Sequence, residues 1–307
     1  MSSQFPVIDV QANAPDLPEQ QGTKEKFWFK DSDGRDFLFK RIRDNTGEHW
    51  AEKIACELCS LLDLPHAHYD LARWKDAMGV VSPSFVPAQG RLVPGNELLA
   101  KQYHGYDPKK FFGQNDHTVK RVITILSRIA RIKPPASMDN ILPEMTASDV
   151  FIGYLMLDAW IGNTDRHHEN WAISIHISEG IRLAPSYDHA SSLGRIEGDK
   201  KKEQILRSIG GDAAMIRYVE KARSALYKDI TDQRPLTPLQ AFEEASLLRP
   251  GSSTYWKNKL SNISDESIIE IVNSVPKEMM SSFSVEFVVC VLAVNRLRIL
   301  TCVEGKK

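Results

Sequence analysis

The chain has 307 residues, 42% of them hydrophobic and 26% charged, with 17 Gly and 16 Pro. That length suits about two domains, or one enzyme-sized domain with two lobes, and the balanced composition excludes collagen-like, coiled-coil and wholly disordered chains. A formal net charge of −1 removes any bulk electrostatic case for nucleic acid, because neutralising many phosphates takes a clear Lys/Arg excess.

Residues 1–15 carry neither the basic patch nor the apolar stretch of a signal peptide, and residues 1–22, rich in Pro, Gln, Asn and Asp, read as an irregular lead-in. Phe27-Trp28-Phe29 and Phe37-Leu38-Phe39 flank Asp31-Ser32-Asp33-Gly34, two aromatic runs around an Asp-Gly turn, which predicts a hairpin. Asn45 and Thr46 are candidate caps for a helix over 48–63 that stops before Pro65. Cys56 and Cys59, with His66 and His68 nearby, raise a zinc site, but their spacing among Ile54, Ala55, Leu58 and Leu62 suits small core cysteines better. Residues 69–74 and 78–85 read as strands, and 87–96 as a connector.

Beyond the connector the texture turns helical. Val119, Val122, Ile123, Leu126, Ile129 and Ala130 form an apolar stripe, with Lys120, Arg121, Arg128 and Arg131 on a basic, solvated face. Residues 149–161 form a strongly apolar helix, and 171–177 with 181–183 a short hairpin. From about 200 to 300 helical patterns dominate, interrupted near Pro235, Pro250 and Pro276. The apolar run over 287–294 is far shorter than the roughly 20 residues that span a bilayer. Four cysteines in a chain of this length make no disulfide framework. The expected compartment is a reducing cytoplasm, or a host cytosol reached without a cleaved signal, with no integral membrane association. The expected fold is α+β and two-lobed: a small β-rich lobe with one helix over 1–90, then a larger, mostly helical lobe over 91–307.

Chemistry concentrates in Asn163-Thr164-Asp165-Arg166-His167-His168-Glu169-Asn170, which leaves an apolar helix and enters a strand-like run. Asp188 follows in Leu183-Ala184-Pro185-Ser186-Tyr187-Asp188-His189. Asp-x4-Asn before a hairpin, with a second Asp after it, is what phosphoryl transfer from ATP requires. One carboxylate, Asp165, orients and deprotonates an acceptor hydroxyl. The amide oxygen of Asn170 and the carboxylate of Asp188 hold Mg²⁺ against the phosphates, because hard cations prefer oxygen. Lys40 ends Phe37-Leu38-Phe39-Lys40, where period-two alternation puts Leu38, Lys40 and Ile42 on one face, ready to meet phosphates. Glu48 and Glu52 on the next helix are its candidate partners; Glu52, one turn deeper beside the apolar stripe, is preferred. Asp158, inside the apolar helix, is placed to tie down the catalytic loop.

Taken together, Ile161-Gly162-Asn163-Thr164-Asp165-Arg166-His167-His168-Glu169-Asn170-Trp171 and Leu183-Ala184-Pro185-Ser186-Tyr187-Asp188-His189 resemble the signature of the HipA-like kinases. Residues 52–65, ending Leu62-Asp63-Leu64-Pro65, resemble their small-lobe helix. The resemblance implies a serine/threonine protein kinase with a fold related to protein and lipid kinases. It makes Asp165 the catalytic Asp, His167 the loop histidine that supports it, Asn170 and Asp188 the Mg²⁺ ligands, and Lys40 the ATP-phosphate lysine. Residues 81–86, with Ser84, Phe85 and Val86, become the strand and hinge bordering adenine. The chain has Asn-Thr-Asp and Asp-His-Ala where many protein kinases have His-Arg-Asp and Asp-Phe-Gly, and only Gly22 stands in the phosphate-covering stretch 19–26.

The implied partner is a protein with a Ser/Thr acceptor; no DNA binding by the chain itself is expected. An antitoxin partner also comes with the resemblance, but relatives so paired usually carry a longer amino-terminal region, which weighs against one. Autophosphorylation candidates are Thr23, Ser191 and Ser192. Three other readings stand beside this one. They are a phosphoinositide kinase, favoured by the basic helix; a metal-dependent phosphohydrolase built from His167, His168, Glu169, Asp188 and His189; and a non-catalytic pseudokinase.

Overall fold

The structure, a computed structural model, describes residues 4–11, 13–14, 17–18, 25–110, 112–128, 132–139 and 144–302. Ten strands and ten α-helices are described. The small lobe contains β1 (Val7–Val10), β2 (Leu17–Pro18), β3 (Lys26–Lys30), β4 (Asp36–Arg41), α1 (Glu48–Leu61), β5 (Asp70–Trp74) and β6 (Ala77–Pro83). Its six strands form one sheet in the order β1-β5-β6-β4-β3-β2, antiparallel except for the parallel β1–β5 pair.

The β3–β4 hairpin forms where the Asp-Gly turn predicted it. Asp31 Oδ1 accepts from the backbone N–H groups of Asp33 and Arg35, and Gly34 sits at φ +75°, which a side chain would resist. Register places Phe27 opposite Phe39, and these rings stack at 5.1 Å over Val10, Ala72 and Val81. Alternation then sends Leu38 and Lys40 to the opposite face. Both line the interlobe cleft, although β4 ends at Arg41, one residue before Ile42.

Three local expectations differ from what is observed. The lead-in contributes β1, whose Val7 and Val10 pair with Leu71 and Trp74, about sixty residues along the chain. The cap of α1 is Gly47, not Asn45 or Thr46, and no side chain caps it. A Cβ at Gly47 would stand 1.9 Å from the Trp50 ring, so close packing selects glycine there. The supposed connector holds β7 (Arg91–Pro94), which joins the large-lobe sheet by pairing with residues Ala172–Ile175.

The large lobe continues with α2 (Gly95–Gln102), α3 (Val119–Arg128), β8 (Ile132–Lys133), α4 (Ala147–Ile161), β9 (Ala172–His176) and β10 (Gly180–Leu183). After these come α5 (Asp199–Leu206), α6 (Gly211–Val219), α7 (Pro238–Leu248), α8 (Pro250–Ser261), α9 (Asp265–Asn273) and α10 (Ser282–Thr301). Pro238 and Pro250 start helices at their first turn, where the missing N–H costs nothing. Every residue of α4 is buried, as its all-round apolarity demands, and α7, α8 and α10 pack around it. Indole donors fix the packing: Trp160 Nε1 donates to Leu292 O at 3.2 Å and Trp256 Nε1 to Asp149 O at 2.8 Å. No helix among the described residues is long and apolar enough to cross a membrane.

The apolar core is divided unevenly. Trp50, Ala51, Ile54, Leu58 and Leu62 of α1 and its end belong to one continuous cluster with α4 and the other large-lobe helices. The sheet has its own small cluster around Phe27 and Phe39, and a third, with Cys56, Ala67, Tyr69 and Val80, lies between.

Candidate active site

Helix α4 ends at Gly162, in the left-handed region at φ +65°, and the loop that follows is tied to Asp158 one turn back. Asn163 donates to Asp158 twice, from N to the carbonyl and from Nδ2 to Oδ1, both at 2.8 Å. Arg166 grips the same carboxylate through Nε and NH2, both at 2.8 Å. Its remaining donors reach Asn170 O at 2.6 Å and Ser186 Oγ at 3.0 Å. One buried guanidinium thus joins α4, both ends of the loop and the segment before Asp188, and Asp158 has the anchoring place expected of it.

Within this frame Asp165 faces the cleft. Its backbone N–H donates to Asn163 Oδ1 at 3.0 Å, and its carbonyl accepts from Asn170 Nδ2 at 2.7 Å. With its nitrogen so committed, Asn170 keeps Oδ1 as the atom available to a cation. His167 Nδ1 accepts the Glu169 N–H at 3.1 Å, so a neutral ring carries its proton on Nε2, which lies 3.8 Å from Asp165 Oδ1. That is electrostatic support for Asp165, beyond hydrogen-bond reach. Burial pushes the Asp165 carboxyl above its ordinary range; His167 opposes the shift and the neighbouring Asp188 carboxylate adds to it.

Asp188 occupies the left-handed region at φ +60°. Lys40 Nζ lies 3.6 Å from its Oδ1 and donates to Tyr69 Oη at 3.2 Å, while the Asp188 N–H approaches the same phenol oxygen at 3.4 Å. Burial works against the Lys40 charge, but Asp188, Tyr69 and Glu52 together outweigh it and hold the ammonium above its usual range. The lysine is therefore a fixed cation.

Glu52 departs from the expected pairing with Lys40. It is buried behind the cleft and accepts the backbone N–H groups of His189 at 2.7 Å and Ala190 at 3.2 Å. His189 Nδ1 stands 3.3 Å from the same carboxylate, and its Nε2 meets Ser186 Oγ at 2.7 Å. The physical reason is that the two buried backbone N–H groups just after Asp188 require an acceptor, which the Glu52 carboxylate supplies, while Lys40 is held by Asp188 and Tyr69. Glu48, the other candidate, pairs with Arg43 at 2.9 Å and Arg195 at 3.4 Å.

The segment after Asp188 brings Ser191, a phosphorylation candidate named from the sequence, onto Asp165 and adds Arg195, which sequence patterns did not single out. Ser191 Oγ donates to Asp165 Oδ2 at 3.2 Å and accepts from Arg195 NH2 at 2.9 Å. Tyr69 also carried no local signal, because the groups it bonds, Lys40 and Asp188, lie 29 and 119 residues away. Tyr187 stacks on Phe85 at 5.6 Å, and its Oη donates to Glu169 O at 2.7 Å.

A cleft of about 760 Å³ lies between the lobes. Lys40, Ser84, Phe85, Val86, Asp165, His167, Asn170 and Asp188 all line it; Glu52 does not. Gly22 and Thr23 lie outside the described residues. Among the described residues no three His, Cys, Asp or Glu side chains converge as a metal-holding group. His168 turns to Tyr106 and His189 to Ser186, which scatters the phosphohydrolase set, and Cys56 and Cys59 are buried in the α1 core.

No protein-family model matches the chain, and no curated protein matches it. Solved structures do. The proinflammatory kinase CtkA of Helicobacter pylori superposes with a TM-score of 0.72 at 19% identity, over 96% of this chain and 99% of that one. HipA of Shewanella oneidensis MR-1, solved with HipB and operator DNA, superposes with a TM-score of 0.57 at 13% identity, over 92% of this chain and 65% of that one. The chain has the two-lobed, HipA-like kinase fold.

Proposed function

We propose that this chain is an ATP- and Mg²⁺-dependent kinase that phosphorylates Ser/Thr hydroxyls of a protein. The observation that carries the reading is the convergence of Lys40, Asp165, Asn170 and Asp188 on one cleft. The donor set fits a magnesium nucleotide. Asn170 Oδ1 and the Asp188 carboxylate offer hard oxygens, Lys40 is a permanent cation beside them, and the cleft volume falls within the range of nucleotide-sized pockets.

Bound Mg-ATP supplies an electrophilic phosphorus and a cation that offsets its charge. Lys40 would bind phosphate oxygens, and Asn170 with Asp188 would hold the metal. Asp165 accepts the proton of the acceptor hydroxyl, and its raised affinity for protons makes it a better base than an ordinary surface aspartate. His167 and Ser191 keep that carboxylate aimed at the cleft. Ser84–Val86 and the Phe85–Tyr187 stack form the apolar end suited to an adenine.

Incubation of wild type and Asp165→Ala with Mg-ATP, read out as phosphoprotein in bacterial and eukaryotic lysates, tests the reading. Transfer by wild type alone, with nucleotide binding kept by both, is expected. Equal transfer by the variant overturns it. Ser191 is the stronger autophosphorylation candidate, since its hydroxyl already donates to Asp165, whereas Ser192 is buried with its hydroxyl on His189 O. Mass spectrometry after ATP incubation that finds Ser191 unmodified refutes that part. We place the reaction in a reducing cytoplasm, consistent with the free thiols of Cys56, Cys59 and Cys290.

A further inference from the structure

A second cavity, of about 310 Å³, lies behind the catalytic loop. Thr164 lines both this cavity and the main cleft, and Ser191, on the second cavity's wall, is one hydrogen bond from the Asp165 carboxylate. Its charged residues are Arg195, Lys201, Lys221 and the single acid Glu197. Some cations elsewhere on this lobe are neutralised, as Arg207 is by Glu286 and Lys228 by Glu244, whereas the lining of this cavity holds three cations against one acid. Lys201 and Lys221 are exposed, and neither has an ion-pair partner among the described residues. Apolar surface accompanies them, with Ile196 66% exposed at the rim and Tyr218 in the wall.

We propose that this cavity docks an acidic segment of the protein acceptor, so that Asp or Glu residues near the target hydroxyl meet Lys201 and Lys221 while an apolar neighbour packs on Ile196. The proposal rests on the kinase reading and deepens it by naming the acceptor class. A net positive cavity that reaches Ser191, one hydrogen bond from Asp165, gives acidic partners a favourable field and repels basic ones. A concave site walled by the segment that carries Ser191 suits a peptide chain; a membrane surface, being flat, would not enter it. No residue of the phosphate-transfer set is used, so docking and chemistry are separable.

The test uses the full chain and a set of short peptides, each with one Ser flanked by Glu/Asp, by Gln/Asn or by Lys. Phosphorylation kinetics and fluorescence anisotropy of the labelled peptides are measured for wild type and for Lys201→Glu/Lys221→Glu. Wild type is expected to favour acidic flanks through KM, and the double variant to raise that KM roughly tenfold or more while kcat on the neutral peptide and nucleotide affinity stay unchanged. Equal use of all three flanks by wild type, or an acidic preference that survives the double variant, overturns the proposal. If no peptide is phosphorylated, the kinase reading fails separately. Anisotropy then decides: lysine-dependent capture of the acidic peptide sustains the docking site, and charge-independent binding overturns it. Lysine-dependent retention on phosphatidylserine-containing vesicles, without peptide selectivity, also overturns it.

Discussion

Replacing Asp158 by Asn removes one charge from the pair that holds the catalytic loop and leaves the side chain's shape nearly intact. The side chains of Arg166 and Asp158 are only 1% and 3% exposed. Arg166 therefore cannot find water when its counter-ion is lost. Breaking such a buried pair from one side costs about 3–5 kcal/mol, against about 0–1 for a surface pair. For a chain of 307 residues unfolding as one unit, about 2 cal/mol/K of unfolding entropy per residue amounts to roughly 0.6 kcal/mol/K. The midpoint should then fall by about 6 °C, measured by circular dichroism and checked by urea titration at constant m-value. Arg166→Met should cost a similar amount, because it strands Asp158. Combined with Asp158→Leu, it should cost less than the separate losses added together, by about 2 kcal/mol. A fall of under about 2 °C for Asp158→Asn, or strict additivity of the pair, would refute the buried-anchor argument.

Three further outcomes can be measured. Asp188→Ala should lose both phosphate transfer and Mg²⁺-dependent ATP binding, the second read by calorimetry; retained Mg²⁺-dependent affinity would remove Asp188 from the metal set. Glu52→Ala strands two buried N–H groups of the Asp188 loop, at about 1–3 kcal/mol each. Urea unfolding should show a loss of about 2–6 kcal/mol for the two together, and a loss under about 1 kcal/mol would refute that tethering role. Burial drives the His117 pKa down to about 3, so below about 6.5 the unfolded chain takes up a proton that the folded chain refuses. Stability should be complete above that value and decline as pH falls toward 3, and His117→Gln, which can still accept the Trp171 N–H at 3.1 Å in wild type, should flatten the decline.

The geometry of the loop after α4 was legible because its bonding is short-range. Asp158, Asn163, Asp165, Arg166 and Asn170 lie within thirteen residues and bond mostly to one another. Lys40 was legible from strand alternation alone. Glu52 was found but given the wrong partner, since its true acceptor role depends on His189, 137 residues away. The same cause hid β1 and β7, four-residue strands whose identity comes from pairing with β5 and β9 rather than from their own patterns. Gly47 was invisible as a cap because the requirement is steric, set by Trp50 above it.

The unequal sharing of apolar side chains has a mechanical consequence. Helix α1 shares its core with α4, and Pro65 and Ala67 just beyond it exchange backbone hydrogen bonds with Ser186, at 2.9 and 2.8 Å, beside the Asp188 loop. Glu52 adds a further tether to the same loop. Helix α1, the Asp188 loop and the loop after α4 are therefore tied into one body, and the sheet bearing Lys40 meets it through Leu71 of β5 and the small cluster at Cys56, Tyr69 and Val80. Phe27 and Phe39 of β3 and β4 belong to the separate cluster over Val10, Ala72 and Val81, so the outer strands have fewer apolar ties to the large lobe than α1 has. Were the two lobes to part, the joint expected to yield lies beneath β3 and β4, which would move Lys40 while Asp165, Asn170 and Asp188 kept their places.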